Sequence, residues 1–119
     1  MPEAVNLAEK LSLFSEHWSP KVVSSFNGHD IMVAKFQGEF VWHAHEDTDD
    51  FFLVLDGTIV IETEEGNVTL NKGDLYVVPK GVKHRPVAEK EASILLIETA
   101  GEPNSGDSSE RAPAVKVAI

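Results

Sequence analysis

The sequence predicts an all-β fold, an antiparallel sandwich or barrel preceded by one short helix. Three observations carry this expectation. From residue 21 the apolar residues recur with a period of two, the period of a half-buried strand. The breaks between these runs hold turn chemistry: Asn27-Gly28, Asp56-Gly57, Glu65-Gly66-Asn67, Lys72-Gly73 and Pro79-Lys-Gly81. No long stretch of helical period separates the runs, so short turns must join antiparallel neighbours.

The elements follow in order. Asn6 is placed to cap a helix, and Glu9 three residues on completes a capping-box pattern. Ser19-Pro20 stops that helix, which is expected over about 7–14. Strands at 21–26 and 30–36 flank Asn27-Gly28, the strongest short hairpin signal. Further strands read at 39–45, 51–55, 58–63, 67–71, 74–78, 83–88 and 92–98. Two of them, Phe51-Phe-Leu-Val-Leu55 and Ile94-Leu-Leu-Ile97, are apolar on both faces and are expected to be covered on both sides. A small barrel has only one interior. The second face therefore predicts a partner, and a homodimer is the simplest one. After Thr99, residues 100–113 are rich in Gly, Pro, Ser and charge and read as a linker. Val115, Val117 and Ile119 then alternate with Ala and Lys, as in either a docking strand across a dimer or a frayed end.

At 119 residues the chain fits one domain, residues 1–119, with a barrel over about 21–99 and a tail over 100–119. Cysteine is absent, so any metal must be held by nitrogen and oxygen. No apolar run approaches the ~20 residues of a membrane span, and the start of the chain does not resemble a signal peptide. A cytoplasmic, membrane-free location is the expectation. The formal charge of −10, with ten scattered basic residues, argues against nucleic acid, which needs clustered Lys and Arg.

The chemistry concentrates in three histidines. His43 and His45 lie in Trp42-His-Ala-His-Glu-Asp-Thr-Asp-Asp50, and His84 lies in Pro79-Lys-Gly-Val-Lys-His84. On a strand, residues i and i+2 share a face at ~6.6 Å. His43 and His45 can thus converge on one ion, with Asp50 brought beside them by the next strand. Three imidazoles and a carboxylate suit first-row divalent metals and can leave positions open for substrate. The bland alternative is that Glu46, Asp47, Asp49 and Asp50 form a solvated turn. Elsewhere, Tyr76 is a candidate cavity-lining, substrate-binding residue, while Glu98 is expected to be a surface carboxylate. Trp42 is expected in core or interface, with Lys83, Arg85, His17 and His29 outward.

The glycines and prolines around these histidines resemble the two motifs of the cupin superfamily. Gly38, His43, His45, Asp50 and Gly57 match the first motif, and Gly73, Pro79, Gly81 and His84 match the second. The resemblance covers about residues 36–98. The segments His17-Trp-Ser-Pro20 and Glu102-Pro-Asn-Ser-Gly106 are similar to small bacterial single-domain cupins often labelled mannose-6-phosphate isomerase-like, a label of fold rather than of activity. The resemblance implies a double-stranded β-helix, the cupin jelly-roll barrel. It implies a metal (Mn, Fe, Ni, Zn or Co) on His43, His45, Asp50 and His84. This chain departs from the pattern in three places. Four residues rather than five separate Gly38 from His43, Ala88 replaces a final Asn, and Asp50 replaces Glu. The last shortens the carboxylate by one methylene, so it either ligates directly or holds a metal-bound water. Two functions remain open at this point. One is a metal-dependent enzyme on a small organic molecule, of oxygenase, isomerase or cyclase type. The other is a non-catalytic small-ligand-binding cupin or a barrel with an empty metal site.

Overall fold

The computed structural model describes residues 3–119. Helix α1 (Leu7–Leu11) is followed by strands β1 (Lys21–Phe26), β2 (His29–Glu39), β3 (Asp50–Asp56), β4 (Ile59–Thr63), β5 (Gly66–Leu70), β6 (Leu75–Val78), β7 (His84–Thr99) and β8 (Val117–Ala118). Asn6 caps the helix as its sequence requires, its side chain accepting from Glu9 N at 2.9 Å. The helix ends at Leu11, short of the expected residue 14. The chain leaves it so that the Phe14 carbonyl can accept from Lys35 Nζ at 2.6 Å, with the ammonium 4.9 Å from the centre of the Phe14 ring.

β7 is the spine of the sheet. One edge pairs antiparallel with β2 along its length, from His29↔Thr99 to Glu39↔Val87. The other edge is shared: its first part pairs with β4 (Thr63↔His84 to Val60↔Val87) and its last part with β3 (Phe51↔Ile97 to Val54↔Ile94). The handover occurs at Gly57, opposite Ala92. Its φ is +86°, and a Cβ there would lie 3.0 Å from Ala92 Cβ. Only glycine permits so close an approach in that conformation. The expected strands 83–88 and 92–98 are therefore one strand, because a single β7 serves two partners in succession.

Alternation holds along both halves of β7, where His84, Pro86, Ala88, Ala92, Ile94, Leu96 and Glu98 are buried, and lapses at exposed Glu89–Glu91 between them. With Met32, Phe36, Phe52, Val54, Ile59 and Ile61 they fill the barrel. One end is stoppered by Trp18, which stacks on Phe36 (ring centroids 4.3 Å apart) and Phe40 (4.9 Å) and donates from Nε1 to the Gln37 carbonyl at 3.0 Å. The outward residues of β3 and β7 are only half-buried, and beside them Leu75 and Val77 of β6 are 54% and 39% exposed. The second apolar face thus has no complete cover within one chain.

One further expectation is corrected. Residues 40–45 form no strand; His43 makes a single isolated bridge with His84. The tail is placed on its own chain. β8 lies parallel to β1 of its own chain (Lys21↔Val117, Val22↔Ala118), and residues 102–107 fold over the end of the barrel that holds the histidines. Among the described residues no helix is long and apolar enough to cross a membrane.

Candidate metal centre

His43, His45, Asp50 and His84 come together with one potential ligand atom from each lying within 4.8 Å of the others. All four are buried, at 1–3% exposure. Their convergence is built from the main chain. His43 N donates to His84 O and His84 N to His43 O, both at 2.9 Å, which lays the two motifs side by side. Gly81 N donates to His45 O at 2.9 Å, tying the second motif to the first again. Asp50 opens β3 and points inward with Phe52 and Val54. Asp49, one residue earlier, is exposed and accepts from Lys80 N at 2.9 Å, so it clips the turn outside the cluster.

Hydrogen bonding settles which ring nitrogens face the centre. His43 Nδ1 and His84 Nδ1 each lie 2.8 Å from a carbonyl oxygen, those of Val41 and Val82. A carbonyl only accepts, so both Nδ1 atoms carry protons and each ring turns its Nε2 inward. His45 Nδ1 lies 3.2 Å from Glu102 Oε1 and is held the same way. Asp50 Oδ2 sits 2.9 Å from His84 Nε2 and 3.3 Å from His45 Nε2. A lone pair and a carboxylate at 2.9 Å repel unless a proton or a cation lies between them. His45 Nε2 and Asp50 Oδ1 are buried without any hydrogen-bond partner. Buried polar atoms left without a partner beside an inward-facing imidazole set are what a cation would engage, displacing any proton on His45 Nε2.

The electrostatics separate the groups. Burial drives the His43 pKa down to about 4. Burial also opposes the His45 cation, but Asp50, Glu98 and Glu102 outweigh it and raise that pKa to about 9. The Asp50 carboxylate is disfavoured by burial, yet His45 and His84 hold it well below its ordinary range. Glu98 is raised to about 7, by burial first and by the Asp50 charge second.

Glu98 was expected on the surface and is instead 4% exposed, paired with Lys116 at 3.2 Å. Period-two alternation from Ile94 and Leu96 carries it to the interior. It shares a cavity of about 20 Å³ with Trp18, Phe36, Phe40, His43 and Asp50, room for about one water. Tyr76 packs half-buried against the core, opposite Phe52 in register, and does not line that cavity. Trp42 is half-buried, with the Arg85 guanidinium 5.3 Å from its ring centre; Arg85 is itself held by Glu62 and Glu39. His17 and His29 are exposed, as expected, and His17 pairs with Glu91 at 2.7 Å. Sequence reading missed Glu102, Asp107 and Lys116, which lie in or beyond a stretch with linker composition and no periodicity.

A family model described as "Cupin domain" matches residues 31–98, more than half of the chain and all four clustered residues. The chain belongs to the cupin family. This cupin is 33% identical over 87 residues to an uncharacterized protein, YdbB, of Bacillus subtilis (strain 168), covering 64% of this chain and 77% of that one. Its fold resembles a cupin-2 domain containing protein from Shewanella frigidimarina, with a TM-score of 0.79 and 46% identity over 80% of this chain and 93% of that one. It also resembles hydroquinone 1,2-dioxygenase from Sphingomonas sp. TTNP3 with 4-hydroxybenzoate bound, with a TM-score of 0.71 and 25% identity over 83% of this cupin. The match spans 32% of that enzyme chain. The barrel is accordingly a jelly roll, and its buried cluster fits a metal site.

Proposed function

We propose that this cupin is a metal-dependent enzyme acting on a small organic molecule, its ion held by His43, His45, His84 and Asp50. The observation that carries the proposal is the pair of buried polar atoms without hydrogen-bond partners, His45 Nε2 and Asp50 Oδ1, within one inward-facing donor set. A first-row divalent ion there supplies Lewis acidity to a substrate oxygen, or oxygen chemistry if it is iron. The chain's own residues do the rest. The Nδ1 hydrogen bonds lock the three rings before anything binds. Asp50 places a negative charge beside them. Trp18, Phe36 and Phe40 wall the cavity with aromatic surface. Glu98, in the same cavity, is the group that can take or give a proton near neutral pH. The aromatic wall, together with the aromatic acid bound by the dioxygenase relative, favours a small planar substrate.

Elemental analysis of protein purified without an affinity tag tests this. The expected result is on the order of one transition-metal ion per chain, since four donors make one site. Protein that takes up no ion on exposure to Mn, Fe, Co, Ni or Zn would defeat it.

A non-catalytic small-ligand-binding barrel is the second reading. The cavity of about 20 Å³ bears on both readings, because an organic substrate or ligand enters only if part of the wall moves. Turnover of any small phenol or hydroxy acid by loaded protein, lost in His84→Ala, decides for the enzyme. We further propose that two copies pair through the outer faces of β3, β6 and β7, where Leu75 and Val77 stand exposed beside half-buried Phe51, Leu53, Leu95 and Ile97.

A further inference from the structure

The three imidazoles are held by different means. His43 and His84 each give the Nδ1 proton to a main-chain carbonyl two residues earlier, so their orientation is local. His45 has no such carbonyl. Its Nδ1 is met by Glu102 Oε1 at 3.2 Å, from 57 residues away in the segment after Thr99.

That segment is seated on the histidine stretch. Ala44 lies between His43 and His45, and both of its main-chain groups bond to one tail residue. Ala44 N donates to Asp107 Oδ1 at 2.8 Å, and Asp107 N donates to Ala44 O at 3.0 Å. Gly106 approaches so closely that a Cβ would lie 2.5 Å from Ala44 O and 3.0 Å from His43 Cδ2. Lys116 Nζ donates to the Glu102 carbonyl and to Glu98 Oε2, and β8 fastens the end of the segment to β1. Residues 40–45 have no strand of their own, so these tail contacts add to the main-chain bonds from His84 and Gly81 that hold them.

We propose that Glu102 is a positioning residue for the metal centre, holding His45 with Nε2 turned inward, and that the tail carrying it completes the centre from outside the barrel. This rests on the metal reading above. A carboxylate on the remote ring nitrogen fixes tautomer and rotation and makes the ligating nitrogen more basic. Its removal leaves a half-oriented ligand rather than a missing one.

The test is a cobalt(II) titration of metal-free full-length protein against a competing chelator, followed by visible absorption, which reports ligand number and geometry. Glu102→Ala is expected to bind ~10–100-fold more weakly than wild type and with an altered spectrum. Glu102→Gln keeps an acceptor oxygen and is expected to recover part of the loss. Far-ultraviolet circular dichroism of the metal-free variants should match wild type, which separates positioning from folding. Cobalt binding by Glu102→Ala at wild-type affinity and with the wild-type spectrum overturns this inference alone, as does a loss that Glu102→Gln leaves wholly unrepaired. A wild-type protein that binds no cobalt overturns both this inference and the metal reading.

Discussion

Asp50 Oδ2 lies 2.9 Å from His84 Nε2, so the shorter carboxylate at this position reaches the imidazole cluster. One methylene less than glutamate does not leave it stranded, because Asp50 opens β3 directly beside the ring. Its second oxygen is buried without a partner. The pair can share a proton or flank a cation.

Removing either member has separable effects. His84→Ala is expected to abolish metal retention, since one of four donors is gone. It also takes one of two imidazole contacts from the buried Asp50 carboxylate, at about 1–3 kcal/mol of stability in the metal-free protein. Elemental analysis and denaturant melts read the two effects independently. Asp50→Asn preserves volume and removes the charge, and is expected to weaken metal binding by about tenfold or more. Asp50→Glu should retain the ion; complete loss would show that the cluster is built around the shorter side chain.

The pH dependence of the metal-free protein follows from His45. Its pKa rises from 6.5 unfolded to about 9 folded. Its contribution to stability is therefore whole below 6.5 and is lost as pH climbs to about 9. Glu98, raised from 4.5 to about 7, acts with the same sign between those values. His43, lowered from 6.5 to about 4, acts with the opposite sign and costs stability as pH falls through that window. The acidic side mixes opposing effects, whereas the alkaline side does not. The melting temperature should fall between pH 6.5 and 9, and His45→Gln should flatten that slope. A wild-type profile with no slope there contradicts the account.

The tail makes its own prediction at Gly106. An alanine Cβ would overlap Ala44 O, so Gly106→Ala must lift the tail or shift the histidine stretch. A stability loss of about 1–3 kcal/mol is expected, with faster proteolysis within 100–113. Limited digestion followed by mass spectrometry locates the cut.

The proposed homodimer is tested at Leu75, which is 54% exposed on the outer face. Leu75→Asp buries an unpaired charge on association and should weaken pairing by about tenfold or more. Light scattering at micromolar concentration should show a dimer for wild type and dissociation for the variant. A monomeric wild type removes the proposal.

Much of this molecule is local information. The two-residue period of β1 to β7, the capped helix and the turn glycines follow from single residues and their neighbours. The donor set is also legible, because metal-binding chemistry restricts residue type and the glycine–proline frame restricts spacing. Tertiary structure decided the rest. Whether β7 is one strand or two depends on the handover from β4 to β3 at Gly57, a contact with Ala92 from across the sheet. The histidines converge without a strand at 40–45, because long-range bonds to His84, Gly81 and Asp107 do what strand geometry was expected to do. Whether Glu98 lines a cavity was decided in the same way: lining depends on what closes the cavity, and here Trp18 and the tail close it. The sequence determined by itself which four side chains meet, because their types and intervals are strongly constrained. Only the tertiary structure decided that Glu102, Asp107 and Lys116 stand behind them, because a tail with linker composition carries no period that says where it docks.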